Sequence, residues 1–200
     1  GIECLATVGN LNTLIGSACT IFNLREQHKV AIFEVGINKR GEMAKIAKLV
    51  RPTMALITGI GHTHMEGLGS IHDIAYEKRQ IFSLFKESNI GIINGDQPVL
   101  SLVSYPHPII KFGIKTTNQI QARKVKVEGS TTTMSLKLYK EKYTITLPTI
   151  HSGAVYNALG AITLGYLLQI PVASLIASVQ ESCVVPGRFE PRALKSHKGT

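Results

Sequence analysis

Three short runs of this 200-residue sequence are apolar at almost every position: KVAIFEV at 29–35, TMALITGI at 53–60 and NIGIIN at 89–94. A strand with one wet face alternates apolar and polar residues. An unbroken apolar run therefore predicts a strand buried on both faces, as in a parallel sheet covered by helices. The segments between the runs have the helical period instead. Residues 10–26 carry Leu11, Leu14, Ile15, Ala18, Ile21 and Phe22, and residues 41–50 carry Met43, Ile46, Ala47 and Val50 before Pro52. Residues 70–87 open on Ser70 as N-cap, with Asp73 three positions on. Strands alternating with helices predict an α/β fold: a mostly parallel sheet flanked by helices. The period then changes. QIQARKVKV, TMSLKLY and YTITLP alternate with period two and predict a small antiparallel β insert at about 119–148. Two more helical segments follow at 154–169 and 171–182.

Composition narrows the function classes. Hydrophobic residues make up 44% and charged residues 18%, enough for a core and too few charges for a disordered chain. No apolar run approaches the roughly 18 residues of a membrane span. The start, GIECLATVGN, lacks a basic region and a long apolar stretch, so no signal peptide is expected. It also lacks Met, which suggests a fragment or a processed form. Three cysteines, Cys4, Cys19 and Cys183, with no CxxC spacing exclude a disulfide framework or zinc ribbon and suggest a reduced, cytoplasmic chain. The net charge of +9 favours anionic partners. Its basic residues are interleaved with apolar ones, as in ARKVKV at 122–127, which reads as the wet face of strands. With no Trp and 6% aromatics, a base-stacking platform is poorly supplied.

Ligands of open parallel sheets gather at the carboxyl ends of the strands. Three polar segments fall there. In FEVGINKRGE, Glu34 continues an apolar run, and a buried carboxylate must be paired, hydrogen-bonded or metal-bound. A salt bridge to a nearby Lys explains it equally well. In TGIGHTHMEGLGS, His62, His64 and Glu66 alternate and share a face if the chain is extended, a donor set suited to a divalent cation. Gly59, Gly61, Gly67 and Gly69 let backbone approach a ligand. In EKRQIF, Lys78 reads on composition alone as a solvated surface residue. GIKTT at 113–117 lacks the spacing of a phosphate loop and is a chance match.

These segments occur in a characteristic order: TVGNLNTLIG, FEVGINKRGE, LVRPTMALITGIGHTHMEGLGS, EKRQIF, IINGDQP, VYNALGA and VPGRFEP. In that order the sequence resembles the central ATPase domain of the Mur ligases. GNLN and EVGINKRGE point to the branch that joins D-Ala-D-Ala to UDP-MurNAc-tripeptide. The resemblance implies residues 1–190 as the central domain without its phosphate loop, and 191–200 as the start of a linker to a C-terminal domain. It implies ATP-dependent, Mg2+-dependent amide-bond synthesis through an acyl phosphate, in a cytoplasmic, monomeric ligase of peptidoglycan precursors. A fragment without the phosphate loop is expected to be inactive alone. Glu34 resembles the family's Mg2+ ligand, His64 its second metal ligand, and Lys78 the lysine that is carbamylated in many members. Asn157 matches the adenine contact and Arg188 the arginine near the phosphates. Thr7, Asn10 and Asn12 fall in the segment facing the UDP-muramoyl substrate. The sequence departs from the pattern in two places. Gly59 stands where the family usually has Asn, and Gly153-Ala154 where it usually has His-Asn. Either His151 replaces that His or the contact is absent.

Two other readings compete. One is a related ligase, such as a folylpolyglutamate-type synthetase. The other is a basic, non-catalytic α/β module that binds nucleic acid or protein, for which Glu34, His64 and Lys78 have no reason to stand in this order.

Overall fold

The computed structural model describes residues 2–61 and 65–182, with the backbone alone of Met65 and Glu66. The residues singled out above as His62, His64 and Arg188, together with Cys183, the side chain of Glu66 and the proposed linker 191–200, lie outside the described residues. The chain divides into two compact units, 1–111 and 112–200.

Unit 1 holds two sets of parallel strands. Strands β1 (Cys4–Ala6) and β2 (Val30–Ile32) pair in parallel, Cys4 with Val30 and Ala6 with Ile32. Between them runs helix α1 (Leu14–Phe22), shorter than its apolar period. Asn10–Leu11 are held in a turn instead, with Gly9 at φ +60° and the Leu11 N–H on the Val8 carbonyl. Thr13 then caps the helix, its hydroxyl accepting from the Gly16 N–H at 3.2 Å. Strand β2 is likewise shorter than the apolar run 29–35, and Ala31 and Ile32 are exposed. With only a three-residue partner in β1, its ladder stops at Ile32, so the expectation of a strand buried on both faces fails here.

That expectation holds better for the other set. Strands β3 (Met54–Ile57) and β4 (Ile90–Asn94) pair in parallel, Met54 with Ile90 through Ile57 with Ile93. Ile92 and Ile93 are fully buried. Beside β4 lies the start of β5 (Ile109–Gly113), where the Gly91 N–H donates to the Pro108 carbonyl. Helix α2 (Glu42–Val50) turns Met43, Ile46 and Ala47 into the core. It ends where Arg51 enters the left-handed region, with its N–H on the Ala47 carbonyl. A short turn, α3 (Met65–Leu68), precedes α4 (Ile71–Arg79). Ser70 and Asp73 form the expected reciprocal cap of α4. The helix predicted to reach 87 stops at Arg79, and a 3-10 turn at Gln80–Phe82 buries Ile81 and Phe82. A last short helix, α5 (Pro98–Ser101), follows β4.

In unit 2 the end of β5 pairs in parallel with β6 (Ile120–Glu128), Phe112 with Ile120. Strands β7 (Thr131–Leu138) and β8 (Glu141–Leu147) then pair antiparallel, which is the predicted insert. Alternation is clean on β7, with Thr132, Met134, Leu136 and Leu138 buried. The β6–β7 register shifts between Arg123 and Lys126, and Lys124 takes φ +51° in that bulge. Lys124 and Lys126 on β6 and Lys142 on β8 are exposed, as a wet strand face requires, and Lys140 is exposed in the turn between β7 and β8. Helices α6 (Ser152–Leu167) and α7 (Val172–Ser182) pack against β6 and β8 respectively. No described helix is long and apolar enough to cross a membrane.

Candidate functional site

The turn after β1 and the chain after β2 form one hydrogen-bonded unit. The Glu34 N–H donates to the Thr7 hydroxyl at 3.1 Å. Asn12 Nδ2 donates to Glu34 Oε1 at 3.3 Å, and the Gly36 N–H donates to the Asn12 carbonyl at 2.8 Å. Glu34 is exposed. It is therefore not the buried carboxylate that the apolar run implied, and no lysine pairs with it among the described residues. Its carboxylate keeps lone pairs free beyond the Asn12 bond. Asn10 is exposed in the adjoining turn. Three of the residues expected at the site, Thr7, Asn12 and Glu34, thus meet at the carboxyl ends of β1 and β2.

The segment after Glu34 then reaches the glycine-rich segment after β3. A Cβ on Gly67 would overlap the Asn38 carbonyl oxygen, so only glycine allows this approach. Arg40 donates to the Leu68 carbonyl at 3.3 Å and pairs with Asp73 at 3.0 Å. Hydrogen bonds from Ser70 hold the Asp73 carboxyl below its ordinary range, with Arg40 adding to the effect. Backbone N–H groups of Asn38 and Lys39 do the same for Glu42, at 2.7 and 3.0 Å. Sequence reading missed Glu77. It is 4% exposed, and its carboxylate accepts the Met43 N–H at 3.1 Å in the first turn of α2. A glutamate beside a predicted surface lysine carried no signal for this.

Lys78 is half-buried, not solvated. Burial pushes its pKa down, and it has no hydrogen-bond or ion-pair partner among the described residues. A desolvated amine is more often neutral, and the neutral amine is the form that reacts with carbon dioxide. Asn157 is exposed on α6 of unit 2. At the start of that helix a Cβ on Gly153 would overlap the His151 ring.

Among the described residues no three His, Cys, Asp or Glu side chains converge as a metal cage. Mg2+ does not require one. It is usually held by one or two carboxylates plus substrate phosphates and retains several waters. A carboxylate such as Glu34, exposed and steadied by one amide, fits that donor chemistry.

A family model of the Mur ligase middle domain matches residues 2–165. The chain is 42% identical over 103 residues to the UDP-N-acetylmuramoyl-tripeptide--D-alanyl-D-alanine ligase of Treponema pallidum, covering 52% of this chain and 22% of that protein. It is 28% identical over 197 residues to the ligase of the same name from Buchnera aphidicola, covering 97% of this chain and 43% of that one. The chain thus spans less than half the length of these curated relatives. Among solved structures, MurF ligase from Thermotoga maritima in complex with ADP superposes with a TM-score of 0.85. The identity there is 23%, covering 97% of this chain and 45% of that one, so the likeness shows the shared fold. Family match and fold agree with the order of motifs: the chain belongs to the Mur ligase middle domain family.

Proposed function

We propose that this chain is the central domain, residues 1–190, of an ATP-dependent ligase that joins D-Ala-D-Ala to UDP-MurNAc-tripeptide. The observation that carries the reading is the joining of Thr7, Asn12 and Glu34 into one hydrogen-bonded unit in a chain of this family. Relatives bearing the ligase's name, and an ADP-bound neighbour of the same fold, support it. In this reading the tripeptide carboxylate attacks the γ-phosphorus of ATP, releasing ADP and forming an acyl phosphate. The dipeptide amine then attacks the acyl carbon, and phosphate leaves with the C–O bonding pair. The enzyme is cytoplasmic, where nucleotide-linked precursors and ATP are found together, and works as a monomer.

The roles we assign combine the hydrogen bonds described above with the family resemblance. Asn12 orients the Glu34 carboxylate, and Thr7 fixes the backbone beneath it. Glu34 and His64 are the residues that would hold Mg2+, with Lys78 beside them as a carbamate. Bound Mg2+ would offset the charge that builds on the phosphates. Asn157 would meet the adenine, with the His151 ring beside it at the start of α6, and Arg188 would meet the phosphates. Thr7, Asn10 and Asn12 border the UDP-muramoyl side.

The test is phosphate release by the intact protein given ATP, UDP-MurNAc-tripeptide and D-Ala-D-Ala. Turnover requiring all three substrates is expected, and Glu34→Gln should lower kcat by roughly 100-fold or more, the scale of losing one charge-stabilising group. Absence of tripeptide-dependent turnover in the unmodified protein overturns the reading.

A further inference from the structure

At the amino ends of β3 and β4, the edge opposite their carboxyl ends, lies a cavity of about 650 Å3. That is the size of a small-molecule site. Lys48 from the last turn of α2, then Arg51 and Pro52, line it from one segment, and Leu84, Lys86 and Asn89 line it from the segment before β4. No acidic residue lines the cavity. The side chains of Lys48, Arg51 and Lys86 have no hydrogen-bond or ion-pair partner among the described residues. Three like charges around one concave space repel one another and attract an anion into it.

The walls are tied together without using those cations. Asn89 Nδ2 donates to the Pro52 and Thr53 carbonyls at 3.4 and 3.3 Å, and its Oδ1 accepts the Lys86 N–H at 2.8 Å. The Asn89 N–H closes the same turn on the Lys86 carbonyl at 3.0 Å. One residue thus fixes the Lys86 turn against the chain that carries Arg51. The backbone of Arg51 is the second oddity, with φ +47° and ψ +59° where α2 ends. Glycine is the usual residue at such a left-handed cap, because a side chain is strained there. A glycine would end α2 as well, so the cap does not explain the arginine. The negative end of the helix favours Lys48, but Lys86 lies outside any helix. We propose that this cavity is a binding site for a small molecule bearing a phosphate or diphosphate group, separate from the Glu34 unit. The Arg51 guanidinium suits phosphate oxygens in pairs, and the two lysines add point charges. Pro52 and Leu84 give an apolar wall for the rest of the ligand.

The experiment titrates inorganic pyrophosphate by calorimetry into the intact protein, with ADP in excess and divalent cations absent. ADP fills the nucleotide site of the reading above, so that site does not contribute. Arg51→Gly removes a cation and suits the left-handed backbone, so its thermal midpoint should hold or rise. Lys86→Gln removes a cation from the other segment. The wild type should bind one equivalent, and each variant should bind about tenfold or more weakly. Lys45→Gln, an exposed lysine of α2 outside the cavity, should bind like the wild type. A wild type that binds no pyrophosphate overturns the proposal, as does binding that neither cavity variant weakens. An equal loss in Lys45→Gln overturns it too, by reducing the effect to net charge. Binding of a glutamate-rich peptide in place of pyrophosphate, lost in the same variants, overturns the small-molecule assignment and makes the cavity a dock for an acidic protein segment. None of these outcomes depends on whether the protein ligates, so the ligase reading is tested apart.

Discussion

His107 is 7% exposed, and neither ring nitrogen has a hydrogen-bond partner among the described residues. Phe82, Phe85 and Tyr105 surround it, with ring centroids at 5.1, 5.0 and 5.6 Å. Such a box favours the neutral ring, and burial pushes the His107 pKa below 6.5. The unfolded chain therefore binds a proton that the folded chain resists. Stability from this site is full above the unfolded value of about 6.5 and is lost as pH falls below it, by at most about 1.4 kcal/mol per pH unit for one proton. His107→Phe should flatten the acid side of a plot of thermal midpoint against pH. An unchanged acid slope would assign the loss to other groups. Lys78 poses the opposite question, since its lowered pKa favours the neutral amine, the form that attacks carbon dioxide. In the intact protein Lys78→Ala should lower ligation by about 100-fold or more, the loss expected when one charged transition-state contact goes. A short-chain carboxylic acid should restore part of it by standing in for the carbamate. Full activity of the variant without the acid would return Lys78 to the status of an ordinary lysine.

At the scale of elements, the helix ends hold the site segments in place. The Ser70 hydroxyl accepts the Asp73 N–H at 3.2 Å while Asp73 accepts the Ser70 N–H at 3.0 Å. Ser70→Ala should cost about 1 kcal/mol, seen as a lower thermal midpoint. Glu77→Ala should cost more, roughly 1–3 kcal/mol, because it strands the buried Met43 N–H at the start of α2. If both variants melt alike, the buried bond has no special weight. The Ser70 cap was legible from sequence because its two partners are three residues apart. The Glu77 bond spans 34 positions, and nothing local marks it. The same contrast runs through the strands. The runs at 53–60 and 89–94 became β3 and β4 because each borders another strand of the sheet. The run at 29–35 yielded three residues because β1 offers only three to pair with. Strand β5 went unrecognised: PIIKFG is short and sits between a Pro-rich stretch and a turn. Of the site, Glu34 with Thr7 and Asn12 was legible through family motifs. Its exposure was not, since hydropathy reports a run of residues and not where its ladder ends. The cavity at the amino ends was hidden because Arg51 and Lys86 come to line one space only when β3 and β4 pair.

Over the whole molecule the charge is +9, yet its carriers are spread over many elements. On β6, Arg123, Lys124 and Lys126 are interleaved with the half-buried Val125 and the exposed Val127, and β8 carries Lys142 as its one basic residue. Binding to nucleic acid draws its strength from many phosphates neutralised together, and log affinity falls by about 0.9 per contact for each decade of salt on B-DNA. A dispersed charge supplies few such contacts at once. A nucleotide instead presents its charge at one end, where a few oriented groups suffice. The intact protein should therefore bind ADP at physiological salt with a shallow salt dependence, measured by titration calorimetry between low and physiological salt. A 20-nucleotide single strand in excess should not displace it. Displacement of ADP by the oligonucleotide, or sub-micromolar retention of it with a steep salt slope, would make the positive charge a nucleic-acid surface and favour the non-catalytic binding module.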